Sequence, residues 1–231
     1  MEDVVRQGAA GRQRLALRGP VRALRSRARM KLDIPAGDFA GYIFDLDGTL
    51  VDTMPLHYRA WNRAMHLAGL KEELSEDLFY SLGGVPTRKV ASILAENYGL
   101  TIDVEKVFHQ KEALFMELQS EMKLIEGVVA FARKAVAQRI PVSVASGGPR
   151  DIVRHTLELM KLADLFPVVV TPEDVKLGKP APDMFLLAAE RMGVPPARCL
   201  VFEDAEPGIK AAEAAGMKWV HVPSRPGRKH G

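Results

Sequence analysis

The sequence predicts an α/β fold in which a parallel sheet is covered by helices and interrupted, after its first strand, by a helical insertion. Three observations predict it. Five short apolar runs are separated mostly by stretches with helical periodicity, the mark of strand–helix alternation around a sheet buried on both faces. One connection, residues 45–141, is about 97 residues long, far more than a crossover between parallel strands requires. Clusters of polar residues follow the runs, at the carboxyl ends where open parallel sheets bind ligands.

The chain begins with a basic extension, residues 1–36. Residues 1–31 hold nine Lys and Arg against two acidic residues. In RQRLALRGPVRALRSRARMK arginine breaks every apolar stretch, so no signal-peptide core is present and the segment reads as a disordered tail. An organelle-targeting peptide, a nucleic-acid or anionic-surface binding arm, and a native start at Met30 are the alternatives. Residues 223–231 form a second, short basic tail. Residues 32–221 carry 20 basic and 27 acidic residues, so the net charge of +3 belongs to the ends and not to the body. An acidic body argues against nucleic acid as its partner. No apolar run approaches the ~20 residues of a membrane span. The single cysteine, Cys199, excludes an internal disulfide and suits a reducing, cytoplasmic setting. Its CLVF context makes it a buried strand thiol. A monomer or weak oligomer is expected.

Predicted strands lie at residues 42–44, 142–145, 168–170, 199–202 and 219–222, and helical patterns at 128–138, 150–161, 183–192 and 206–215. Gly216 closes the last helix as a C-cap. Residues 37–55 and 125–222 therefore make the core. Residues 56–124 are rich in helix formers and nearly devoid of β-runs, punctuated by Gly83-Gly84 with Pro86 and by Asn97-Tyr98-Gly99. They read as a cap that leaves the sheet just beyond a pair of aspartates.

That pair lies in FDLDGTLVDT, residues 44–53. A strand repeats every two residues, so Asp45 and Asp47 share one side of the backbone as the strand ends. Like charges that close must be separated, neutralised or used. Ser146-Gly147-Gly148 follows the second strand, Lys179 sits in LGKPAPD after the third, and Glu203-Asp204 follows the fourth. Taken singly these have plainer readings: a solvated turn, a loop, a surface lysine, the acidic start of a helix. On one sheet edge they form four carboxylates and a lysine, a set suited to a hard cation such as magnesium with a substrate phosphate. With the pair neutralised, Asp45 can attack phosphorus, and Asp47 can give a proton to the leaving oxygen and take one from water. Lys179 and Ser146 would hold the transferring oxygens, while Gly48 permits the tight turn.

FDLDGTLVDT, VASGG, GKPAPD and VFEDA, in that order and spacing, resemble the four motifs of the haloacid dehalogenase superfamily over about residues 40–222. The placement of the helical insertion resembles its cap-one subfamily. DTMPLHYRAW, KPAPDMFLLAAERMGV and VFEDAEPGIKAAEAAGM resemble the beta-phosphoglucomutase-like branch, which includes hexose-phosphate phosphatases such as those acting on fructose 1-phosphate. The resemblance implies a Rossmann-like core with an inserted helical cap, Asp45 as nucleophile and Asp47 as acid/base. It implies Mg2+ held by the Asp45 side chain, the Asp47 backbone carbonyl and Asp204, with Glu203 nearby or through water, and a phosphoryl group held by Ser146 and Lys179. Specificity in the family lies in the cap, which points to His57, Thr53 and the SLGGVPTRK loop. Thr49, Arg88 and Gly147 complete the candidate substrate-binding set.

Two departures bear on the reaction. The mutase of that branch carries a cap-loop lysine near the position of Gly83 and commonly has Val where Thr49 stands; here there is no such cation, although Arg88 or Lys89 could substitute. The expectation is a magnesium-dependent phosphohydrolase of small phosphorylated sugars acting through an aspartyl-phosphate. A beta-phosphoglucomutase is the alternative within the class. A nucleic-acid or anionic-surface binding protein with a vestigial enzyme body is the alternative outside it, against which the intact motif carboxylates and Lys179 count.

Overall fold

The computed structural model describes residues 32–223. The basic extension up to residue 31 and the tail from residue 224 lie outside the described residues, and with them the targeting, binding-arm and Met30 readings. Five parallel strands form one sheet: β1 (Gly41–Phe44), β2 (Val142–Ala145), β3 (Val168–Val170), β4 (Cys199–Glu203) and β5 (Lys218–His221), in the order β3-β2-β1-β4-β5. The first strand is thus the central one. Tyr42 pairs with Val142 on one side and Leu200 on the other. Each predicted strand is present, shifted by at most one residue at either end. The fifth begins one residue early, at exposed Lys218, because pairing with Leu200 decides its start and an edge strand tolerates a charge.

Alternation along the strands sorts the core onto two faces. Phe44, Val142, Val144, Leu200 and Phe202 point to one face, where they meet α5 (Glu126–Ala137) and α6 (Arg150–Leu159). The rings of Phe44 and Phe202 stack with centroids 4.7 Å apart, and Phe131 of α5 packs 4.8 Å from Phe202. Ile43, Ala145, Cys199 and Val201 point to the other face, covered by α7 (Asp183–Met192) and α8 (Glu206–Ala214). Burying each large apolar side chain contributes about 1.5–3 kcal/mol, which is what lets four-residue strands hold.

Between β1 and β2 lie α1 (Met54–Leu67), α2 (Glu76–Ser81), α3 (Thr87–Asn97) and α4 (Val104–Glu117). The Asp103 carboxylate caps α4 by accepting from the Lys106 amide at 3.1 Å. Along α4, Val107, Phe108, Lys111, Leu114 and Phe115 are buried, the i, i+3/i+4 stripe of an amphipathic helix. That stripe packs on α1, whose Trp61, Ala64 and Met65 are buried. The chain leaves and returns through a narrow neck: the Asp52 amide donates to the Lys123 carbonyl at 2.8 Å, and the Ile125 amide to the Leu50 carbonyl at 2.9 Å. The insertion therefore stands over the carboxyl end of β1, beside the aspartates. Among the described residues no helix is long and apolar enough to cross a membrane.

Candidate active site

β1 ends at Phe44, and the Asp45 amide donates to the Phe202 carbonyl at 3.0 Å, so the first aspartate is still anchored to the sheet. Beyond it the chain turns at once: the Leu50 and Val51 amides donate to the Leu46 carbonyl, and the Gly48 amide to the Val51 carbonyl. Gly48 has φ +87°, and a Cβ there would run into the Asp204 carboxylate. Glycine is required twice over, by backbone sign and by space. The turn brings the Thr49 hydroxyl to Asp204 Oδ1 at 3.3 Å.

Lys179, wholly buried, donates from Nζ to Asp45 Oδ1 and to Glu203 Oε2, each at 2.7 Å. Burial would strip the lysine of its proton, but Asp45 and Glu203 outweigh it and raise its pKa. Burial and the Glu203 charge push the Asp45 carboxyl up to about 8, against the pull of Lys179. One ammonium thus faces too many carboxylates. Asp45, Glu203 and Asp204 each offer an oxygen, all within 4.8 Å of one another. An all-oxygen set of excess negative charge fits a hard divalent cation such as Mg2+.

Asp47 is met by different partners. Thr53 Oγ1 donates to its Oδ1 at 2.6 Å, His57 Nε2 lies 3.0 Å from the same oxygen, and Ser146 Oγ donates to Oδ2 at 3.4 Å. Burial works to raise this carboxyl, but His57, Thr53 and Lys111 outweigh it and hold Asp47 at about 2. His57 lies flat on Phe115 of α4, centroids 3.9 Å apart, and its Nδ1 is 2.9 Å from Lys111 Nζ. An ammonium can only donate, so Nδ1 accepts from Lys111 and Nε2–H donates to Asp47. A chain of hydrogen bonds therefore runs from α4 through α1 to the core loop.

Asp45, Asp47, His57 and Gly147 line one pocket, with Gly84 and Lys111. Ser146, Lys179, Glu203 and Asp204 are buried around it. Thr49 and Thr53 do not line the pocket; their hydroxyls are used on Asp204 and Asp47. Arg88 is not brought to the site either. Its Nε donates to Glu105 Oε1 at 2.7 Å and its guanidinium lies 3.8 Å over the Phe108 ring. The reason is the helix period: Thr87 and Val90 of α3 face the pocket, which turns Arg88 away toward α4. Exposed Lys89 likewise lies outside the lining, so neither stands in for the cap-loop lysine. Trp61 is 3% exposed and also lines the pocket. The sequence reading missed Lys111 and Glu112, buried neighbours on α4. A signal existed, since Lys111 interrupts the apolar stripe from Val107 to Phe115. The loop after β2 meets the loop before α3 backbone to backbone: a Cβ on Gly147 would collide with the Gly84 carbonyl.

Residues 39–216 match the haloacid dehalogenase-like hydrolase family, and the chain belongs to that family. It is a hydrolase whose relatives include phosphatases. It is 37% identical over 188 residues to fructose-1-phosphate phosphatase YqaB of Escherichia coli, covering 80% of this chain and 96% of that protein. It is 33% identical over 183 residues to the phosphorylated carbohydrates phosphatase of Thermotoga maritima, covering 78% and 82%. The fold is similar to the crystal structure of a hydrolase from Pseudomonas syringae, with a TM-score of 0.71 and 27% identity, covering 78% of this chain and 83% of that one.

Proposed function

We propose that the protein is a magnesium-dependent phosphohydrolase of small phosphorylated sugars, of the hexose phosphate class, working through an aspartyl-phosphate on Asp45. The observation that carries this reading is the contrast within one pocket between Asp45, gripped by Lys179, and Asp47, two residues on and held by Thr53, His57 and Ser146. The relatives named as phosphatases of fructose 1-phosphate and of phosphorylated carbohydrates support the substrate class.

In the first step an Asp45 oxygen bonds to phosphorus as the bond to the sugar oxygen breaks, and Asp47 gives that oxygen a proton. Asp47 rests ionised, and the negative charge of an arriving phosphoryl group favours its protonated form. In the second step Asp47 takes a proton from water, whose oxygen attacks phosphorus and releases Asp45. Lys179 fixes the Asp45 carboxylate and offers positive charge to the phosphoryl oxygens, and the Ser146 hydroxyl lies at hand for the same group. The Lys111–His57 chain keeps Asp47 aimed into the pocket. The Asp45 side chain, Asp204 and the Asp47 carbonyl, with Glu203 beside them, would hold magnesium, whose positive charge would keep Asp45 ionised and offset charge on the phosphoryl oxygens.

Phosphate release from a panel of hexose and pentose phosphates with magnesium tests this, with Asp45→Asn as the blank. Release at least a hundredfold above that blank is expected, lost on chelation, with a phosphoenzyme absent from Asp45→Asn. Release that survives in Asp45→Asn would sink the mechanism. Conversion of beta-glucose 1-phosphate to the 6-phosphate without net release would transfer the reading to the mutase.

A further inference from the structure

The wall that α4 gives to the pocket contains one unspent atom. Lys111 Nζ donates to His57 Nδ1 at 2.9 Å and to Glu112 Oε1 at 3.1 Å. Glu112 Oε2 is buried and has no hydrogen-bond partner among the described residues. Glu112 lines the pocket and is 7% exposed. A buried carboxylate oxygen left without a donor is costly, and this one is kept at the wall of the reaction site. A hydroxyl arriving in the pocket is the chemistry that would satisfy it.

The same carboxylate sets the charge of that wall. Among the described residues lining the pocket, Lys111 is the one side chain bearing an ammonium or guanidinium, and Glu112 is paired with it. The surrounding wall is apolar, with Trp61, Phe79, Val85 and Val90. The cap side therefore offers no net positive charge to a second phosphate, and Oε2 would repel one.

We propose that Glu112 is a specificity-determining residue: its Oε2 accepts a hydrogen bond from a hydroxyl of the leaving group, and its charge excludes leaving groups that carry a second phosphate. This rests on the phosphohydrolase reading above and narrows it to monophosphate esters of hydroxyl-rich leaving groups. It also sets the site against a reaction that must hold a bisphosphate.

The test compares kcat/KM for three esters with the full-length protein and magnesium: fructose 1-phosphate, fructose 1,6-bisphosphate, and 4-nitrophenyl phosphate, whose leaving group has no further hydroxyl. The wild type is expected to prefer the monophosphate to the bisphosphate by at least tenfold. Glu112→Gln, which keeps the shape and removes the charge, is expected to raise the bisphosphate-to-monophosphate ratio about tenfold. Glu112→Leu, which removes the acceptor, is expected to lower the fructose 1-phosphate-to-aryl phosphate ratio about tenfold. Equal use of both sugar esters by the wild type overturns the proposal without any variant. Ratios within twofold of wild type in the folded variants overturn it as well. Release from none of the three esters by the wild type overturns the phosphohydrolase reading, and this assignment with it.

Discussion

Asp45 and Asp47 stand two residues apart, yet one carboxyl is driven up to about 8 and the other down to about 2. Their neighbours make the difference. Asp45 shares its surroundings with Glu203 and divides a single ammonium with it, whereas Asp47 receives Thr53, His57 and Ser146. The same logic predicts what a remote side chain will not do. Arg88→Ala should leave kcat/KM for a hexose monophosphate within about twofold of wild type and cost less than about 1 kcal/mol, since an exposed pair with Glu105 contributes little. Steady-state kinetics and thermal unfolding check this; a tenfold rise in KM would return Arg88 to the site. Asp45, Asp47, Ser146, Lys179, Glu203 and Asp204 could be placed at one sheet edge from the sequence because each lies at the end of a strand or in the loop after it, where local pattern alone settles which edge a residue reaches. Arg88 was not, because the face a helical residue presents depends on what α3 packs against. Thr49 and Thr53 were found as polar groups near the site, but their service to Asp204 and Asp47 depends on the turn at Gly48.

At the scale of an element, α4 gives a stripe position to an ammonium. Lys111 is buried between His57, Glu112 and the ring of Phe115, 5.1 Å from its centroid. Removing one partner of a buried pair leaves the other charged and unmet, at a cost of about 3–5 kcal/mol. Lys111→Met should therefore destabilise the protein by about that amount and slow turnover, because His57 also loses the donor that sets its tautomer. The double variant Lys111→Met with Glu112→Leu should regain most of the stability but not the turnover. Chemical denaturation and kcat, measured on both variants, separate the two effects. If the double variant regained turnover as well, the pair would be structural only. The amphipathic stripe of α4 could be read from periodicity. That its charged member serves Asp47 could not, since His57 lies 54 residues earlier and only folding joins them.

For the whole molecule, strand–helix alternation and the long insertion were legible, because apolar runs and helical periodicity are local properties. Strand order was not, because β1 finds its two neighbours about 100 and about 160 residues downstream. The covered sheet makes a further prediction. Cys199 is fully buried, and burial pushes its thiol up to about 11. At pH 8 a thiol reagent should modify it at least about a hundredfold more slowly in the native protein than in the unfolded chain, since the thiolate is the reactive form. Labelling should then follow the opening of β4. Fast labelling in native buffer would mean that this strand end is open.

The central position of β1 has a consequence for synthesis. Among the described elements it is the first to be made, yet Tyr42 waits for Leu200. At about 5–20 residues per second, roughly ten to thirty seconds separate the two at the ribosome. During that interval α1 to α4, whose contacts are mostly with one another, can assemble, while the strand they follow still lacks its second neighbour. The β4 side of β1 thus stays unsheltered until almost the whole described chain is made, and the insertion lengthens that wait.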